Sequence, residues 1–214
     1  MPISQSFAIG IDDGLDVLAR IREETSALSF NPRGTVRCEG RPMFRHQAAR
    51  DFGCLLDVDP TVITWTCLPL VLHHAQGTHV PDFAVTRGSG TTLIDVLPSN
   101  GEAAQAQLLA EVSLPLGCRH EILTGSDFVE GFRLDNARDL LRYANSHVSL
   151  GDRVRLLTLL DEQGPMPLAA CMQVIRDGRD PIGAIAAMAL RRFVDIDLDG
   201  ARIGPETRVS RFHD

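Results

Sequence analysis

The chain contains no lysine: all 21 of its basic residues are arginine. Chemistry that relies on a lysine beside the reacting group is thereby excluded. Cysteine is sparse and scattered. Cys38, Cys54, Cys67, Cys118 and Cys171 are odd in number and include no CxxC pair. That argues against a disulfide framework and against a structural zinc site, and buried free thiols are expected. No apolar run approaches the roughly 18–20 residues that span a bilayer. Met1–Gly14 lacks the basic-then-apolar layout of a secretion signal. No membrane association is expected, and the expected location is cytoplasmic. A formal net charge of −7 does not suit a protein that coats nucleic acid with a generally basic surface. It leaves room for a local arginine patch.

What is present suits a globular chain. Its 214 residues, 44% apolar, can form one large domain or two small ones with a sizeable core. Leu15, Leu18 and Ile21 are spaced for a helix over Asp13–Glu24, closed by the turn residues Asn31-Pro32-Arg33-Gly34. Phe44, Ala48, Ala49, Phe52, Leu55 and Leu56 fall on one face of a second helix, Phe44–Leu56. Asp57-Val58-Asp59-Pro60 stops it, because proline cannot continue a helix. Val62–Trp65 and Leu70–His73 read as strands.

A hairpin follows. Val80–Thr86 and Thr91–Val96 flank Arg87-Gly88-Ser89-Gly90, a loop suited to chain reversal. Pairing Thr86 with Thr91 sets Phe83 against Ile94 and Asp82 against Asp95. One face is then apolar, with Phe83, Val85, Ile94 and Val96. The other presents two facing carboxylates, which repel unless a cation lies between them. Oxygen ligands suit magnesium. His73, His74 and His79 are a further set of metal-ligand types. Their spacing repeats no ligand pattern, so exposed strand-end histidines are expected.

Downstream, Ala103–Val112 reads as a helix, Cys118–Leu123 as a strand and Asn136–Ala144 as a helix. Asp152 suits the N-cap of a helix ending at Gly164-Pro165. Two more helices, Leu168–Ile175 and Ile182–Leu190, precede a hairpin in which Phe193–Leu198 and Ala201–Ile203 flank Asp199-Gly200. Three helices and a β-wing form a winged helix–turn–helix. Its third helix would ordinarily enter a DNA groove. That helix is almost purely apolar, with Arg176, Arg179, Arg191 and Arg192 only at its edges. Protein docking and DNA contact both remain open for it.

Pro81-Asp82, twelve residues and then Asp95-Val96-Leu97 match the spacing of a PD-(D/E)xK nuclease core. In such enzymes carboxylates hold a cation that activates water, and a lysine supplies charge near the scissile phosphate. Phe44-x7-Phe52, Leu55-Leu56-Asp57-Val58-Asp59-Pro60-x-Val62, Leu68-Pro69, Pro81-Asp82-Phe83 and Ile94-Asp95-Val96 together resemble the TnsA family of transposon-end endonucleases. Leu134–Tyr143 is similar to the segment leading out of that family's nuclease core. The likeness covers residues 34–214. It implies a DDE-type transposase and an AAA+ ATPase regulator as partners, with DNA as the substrate. It also implies Asp82 and Asp95 as catalytic, metal-holding residues for Mg2+ or Mn2+. The departures are specific. Ala49 stands where the family's first core helix carries glutamate, and Leu97 stands in the lysine position. Arg45 and Arg50 are candidates to replace the missing positive charge at phosphate, and Arg191 and Arg192 to contact DNA from the winged helix.

The expected architecture is α/β: an N-terminal extension (1–34), a restriction-endonuclease-like mixed-sheet domain (35–149) and a winged helix (150–214). The expected role is a TnsA-like subunit that positions DNA or supports the assembly with impaired cleavage and, if degenerate, no bound metal. An active endonuclease that nicks transposon ends is the first alternative. A DNA-binding regulator unrelated to transposition is the second.

Overall fold

The structure, a computed structural model, describes residues 11–98, 106–177 and 180–213. Helix α1 (Ile11–Ser26) is followed by α2 (Gln47–Val58), β1 (Val62–Cys67) and a small hairpin of β2 (Leu72–His74) and β3 (Gly77–His79). Next come β4 (Phe83–Arg87), β5 (Gly90–Leu97), α3 (Ala106–Ser113) and β6 (Arg119–Thr124). The rest of the chain forms α4 (Arg133–Leu141), α5 (Leu150–Gln163), β7 (Met166–Pro167), α6 (Leu168–Met172), α7 (Pro181–Leu190), β8 (Val194–Ile196) and β9 (Arg208–Arg211). The protein is a mixed α/β structure. Its main sheet has the order β1-β4-β5-β6, antiparallel except for the parallel β5–β6 pair. The expected helix start at Ala103, like Arg179, lies outside the described residues.

The register of β4 on β5 follows the alternation in the sequence. Thr86 pairs with Thr91 and Phe83 with Ile94. Phe83, Val85, Ile94 and Val96 are buried together against α2, with Phe44, Phe52 and Trp65. The aromatic rings meet at tilted and edge-on angles, such as Phe52 to Phe83 at 5.6 Å and 62°, the geometry that ring quadrupoles favour. The opposite face carries Leu93, packed with Leu72 of the small hairpin and Leu109 of α3. The sheet is thus covered on both sides, which confines any open site to its strand ends.

Helix α2 begins three residues later than periodicity places it. The extended backbone of His46 makes it the cap, and its Nδ1 accepts the Ala49 amide at 3.1 Å. Phe44 remains in the core from outside the helix. Near the end of α2, buried Asp57 ties three segments together. Its Oδ1 accepts from the Val36 and Arg37 amides and from the indole of Trp65, at 3.1, 2.9 and 3.0 Å.

Two C-terminal details differ from the sequence reading. Ser149, not Asp152, caps α5: its hydroxyl accepts the Asp152 amide at 2.9 Å. The Asp152 carboxylate instead accepts the amides of Arg176 and Asp177. The partner of β8 is β9, not Ala201–Ile203. Asp197 Oδ1 takes the amides of both Asp199 and Gly200, forming a local turn. Asn136 then holds the loop, donating to Leu198 O and Ala201 O and accepting from Ile203 N. The ladder therefore closes six residues later than a two-residue hairpin allows, with Ile196 opposite Val209 and not Ile203. β7, β9 and β8 form the resulting three-stranded sheet.

Candidate metal centre

Asp82 and Asp95 come together at the end of β4 and β5, as the hairpin count requires. The Asp82 amide donates to Asp95 Oδ1 at 3.3 Å. Both carboxylates are buried, and each of their four oxygens already has a partner. Asp82 Oδ1 receives Arg45 at 2.7 Å, and Oδ2 receives the Val96 amide at 2.9 Å. Arg45 also donates to Val80 O at 2.6 Å, which fixes its guanidinium across the mouth of the hairpin. Asp95 Oδ2 lies 2.7 Å from His79 Nε2 and 2.7 Å from His120 Nε2.

Electrostatics separate the two acids. Burial pushes the Asp82 carboxyl above its ordinary value, and the opposing pull of Arg45 and the Val96 amide does not fully offset it. Burial also acts against the Asp95 anion. Its hydrogen bonds to His120 and His79 outweigh that and bring it to about 2. Asp95 is the firmly ionised member of the pair.

Each ligand type reaches this point from a different strand. His79 ends β3, Asp95 lies in β5 and His120 lies in β6. The parallel register sets Leu93 beside His120 and Asp95 beside Ile122, so His120 shares the α3-facing side with Asp95. His79 is the member expected to be only an exposed strand-end residue. Its side chain is 27% exposed against 1% for His120. His73 and His74, its neighbours in the small hairpin, are not part of the cluster. The residues present do not fit a magnesium site built on Asp82 and Asp95 alone. A hard cation needs free oxygens, whereas these are bonded to a guanidinium, to amides and to imidazoles.

The arginines proposed for DNA have structural partners. Arg50 is fully buried, donates to Pro32 O and Gly34 O, and stacks 5.0 Å from the centre of the Phe44 ring. Gly53 makes room for it, since a Cβ there would sit 3.2 Å from the guanidinium and 3.0 Å from Phe44. Arg191 donates to Ala187 O and Ala144 O. Arg192 donates to Asp59 O and Val62 O. Ala49 is buried in the aromatic core, and Leu97 ends β5 half-exposed; neither brings charge to the site.

His120 was missed because nothing local marks it. The parallel β5–β6 register is set by packing through α3, not by a turn. Among the described residues no helix is long and apolar enough to cross a membrane. No family model matches the chain, and no curated protein matches it.

Proposed function

We propose that the chain is a TnsA-like subunit of a DNA-transposition machinery, one that positions DNA on a nuclease-type fold whose cleavage is impaired. One observation carries this reading: two acids sit side by side on the expected hairpin, yet the oxygens of both already have hydrogen-bond partners. Arg45 occupies Asp82, and His79 and His120 occupy Asp95. A PD-(D/E)xK core needs a helix beneath such a hairpin and a mixed sheet around it, and α2 with β1-β4-β5-β6 supplies both. The same positions lack two groups that cleavage uses. Ala49 offers no acid and Leu97 no cation, and losing one transition-state charge contact typically lowers a rate by about 10²–10³.

The C-terminal elements support a winged helix in order and pairing: α5, β7, α6, α7, β8 and β9, with β9 central. Helix α7 is buried along most of its length, as an all-round apolar helix must be. In this reading the C-terminal unit docks onto protein and supports the assembly, and α7 does not read a DNA groove. A DDE-type transposase and an AAA+ ATPase are the partners that go with it.

The test uses the full chain, alone and with any transposase and ATPase encoded beside it, on duplex DNA carrying the terminal sequences of any element that encodes them. With magnesium or manganese present, the expected result is DNA association without nicking. Nicking that disappears in Asp82→Ala would establish the active endonuclease instead. Absence of any DNA association in the full assembly would sink both forms of the reading.

A further inference from the structure

We propose that His79, Asp95 and His120 form a binding site for one divalent transition-metal cation of the zinc class, open to an additional ligand. Two imidazole nitrogens and one carboxylate oxygen converge from three strands, and the three ligand atoms lie within 4.8 Å of one another. Both Nε2 atoms are 2.7 Å from the same oxygen, Asp95 Oδ2. The rings stand nearly perpendicular, 84° between planes, with centroids 6.3 Å apart. They therefore reach the shared point from different directions instead of stacking.

Donor chemistry selects the ion. Imidazole nitrogen with one carboxylate suits zinc and its neighbours, whereas magnesium and calcium take oxygen. Zinc–nitrogen and zinc–oxygen bonds of about 2.0–2.2 Å place tetrahedral ligand atoms about 3.3 Å apart. The two His–Asp separations must open by roughly 0.6 Å to admit the ion, and His79, at the end of β3, is the ligand with room to move. The site also has an inside and an outside. The imidazole of His120 is 1% exposed and the Asp95 side chain 6%, while His79 is 27% exposed and faces the entry. Three protein ligands leave a fourth position for water or for an anionic oxygen such as phosphate.

The competing role is satisfaction of a buried carboxylate by two neutral histidines. In that role both Nε2 atoms carry protons and no cation is taken up. The inference does not rest on the transposition reading, because its readout is metal binding without DNA.

The experiment is calorimetric titration of chelator-treated full-length protein with Zn2+, alongside Co2+ titration followed by visible absorption. One equivalent of Zn2+ per chain is expected. Co2+ should give the intense visible bands of a tetrahedral site, and excess Mg2+ should not displace the ion. His79→Ala, His120→Ala and Asp95→Asn should each weaken binding by at least about tenfold, the scale on which even supporting groups of metal sites act. His73→Ala/His74→Ala should bind as the parent does. Circular dichroism identifies variants that fail to fold. His79, the most exposed of the three ligands, and the near-isosteric Asp95→Asn keep the test decisive if His120→Ala is misfolded. The proposal is overturned by absence of saturable binding in the parent. It is equally overturned by undiminished binding in folded His79→Ala or Asp95→Asn, or by binding that depends on His73 and His74.

Discussion

At the scale of single residues, the buried carboxylates show how one fold drives similar groups apart. Burial acts on Asp57, Asp82, Asp95 and Asp152 in the same direction, against the charge. The donors around each decide the outcome. Asp57 has three N–H donors and still stays raised by burial. Asp152 overcomes burial through the Arg176 amide, Arg155, the Asp177 amide and Ser149, and its carboxyl falls to about 2. A folded-state value below the unfolded one contributes stability that is complete above the unfolded value and disappears as pH falls through the folded one. For Asp152 that window runs from about 4 down to about 2. The stability difference between the parent and Asp152→Asn is therefore expected to be on the order of 2 kcal/mol near neutrality. It should close over that acid window in urea titrations at stepped pH. A difference that stays constant down to the acid end would mean that the shift is absent.

At the scale of elements, one asparagine does the work of a turn. Asn136 is fully buried in α4 and makes three hydrogen bonds, all to the loop between β8 and β9. Asn136→Ala leaves two carbonyls and an amide without their partner. Each unmet buried group costs about 1–3 kcal/mol, so a stability loss of at least that size is expected. It should come with faster hydrogen exchange at the Ile203 amide, and unchanged exchange there would count against the role. The same loop shows what the sequence could not reveal. Asp199-Gly200 is a sound local hairpin signal, yet Asp197 captures both amides and a side chain more than 60 residues upstream anchors the rest. By contrast, the β4–β5 hairpin was legible because its register depends only on loop length and alternation. The approach of Asp82 to Asp95 and the apolar face of Phe83, Val85, Ile94 and Val96 were legible for that reason, and most helix positions from their own apolar period. The histidine pair was not. His79 comes from a separate small hairpin that packs on the sheet through Leu72, and His120 from a parallel neighbour whose register no turn sets. Arg50, a candidate for phosphate by type, is instead consumed by two carbonyls, an interaction that charge patterning cannot foresee.

At the scale of the whole molecule, the C-terminal third completes the core of what precedes it. One apolar cluster runs from Cys54 of α2 through Leu134, Ala137, Leu140 and Leu141 of α4 to Leu156, Ile185, Met188 and Val209. Polar contacts cross the same boundary. Arg37 donates to Leu190 O at 3.1 Å, and Arg192 donates to Asp59 O at 3.0 Å and also to Val62 O. Arg192 makes these bonds from a left-handed backbone, φ 58°, that a non-glycine residue adopts only at a cost. A chain cut after Ser149 would lose everything that covers the far side of α4. Each large apolar side chain left bare forfeits about 1.5–3 kcal/mol, and several are bared at once, against a typical domain stability of about 5–15 kcal/mol. Residues 1–149 alone are therefore expected to bind a hydrophobic dye and to lose a cooperative melt, while the full chain melts in one transition. Arg192→Ala in the full chain should lower that single midpoint without splitting it, because it removes a link across a shared core, not across a hinge. A fragment 1–149 that melts cooperatively, or two separated transitions in the full chain, would show two independent units joined by surface contact.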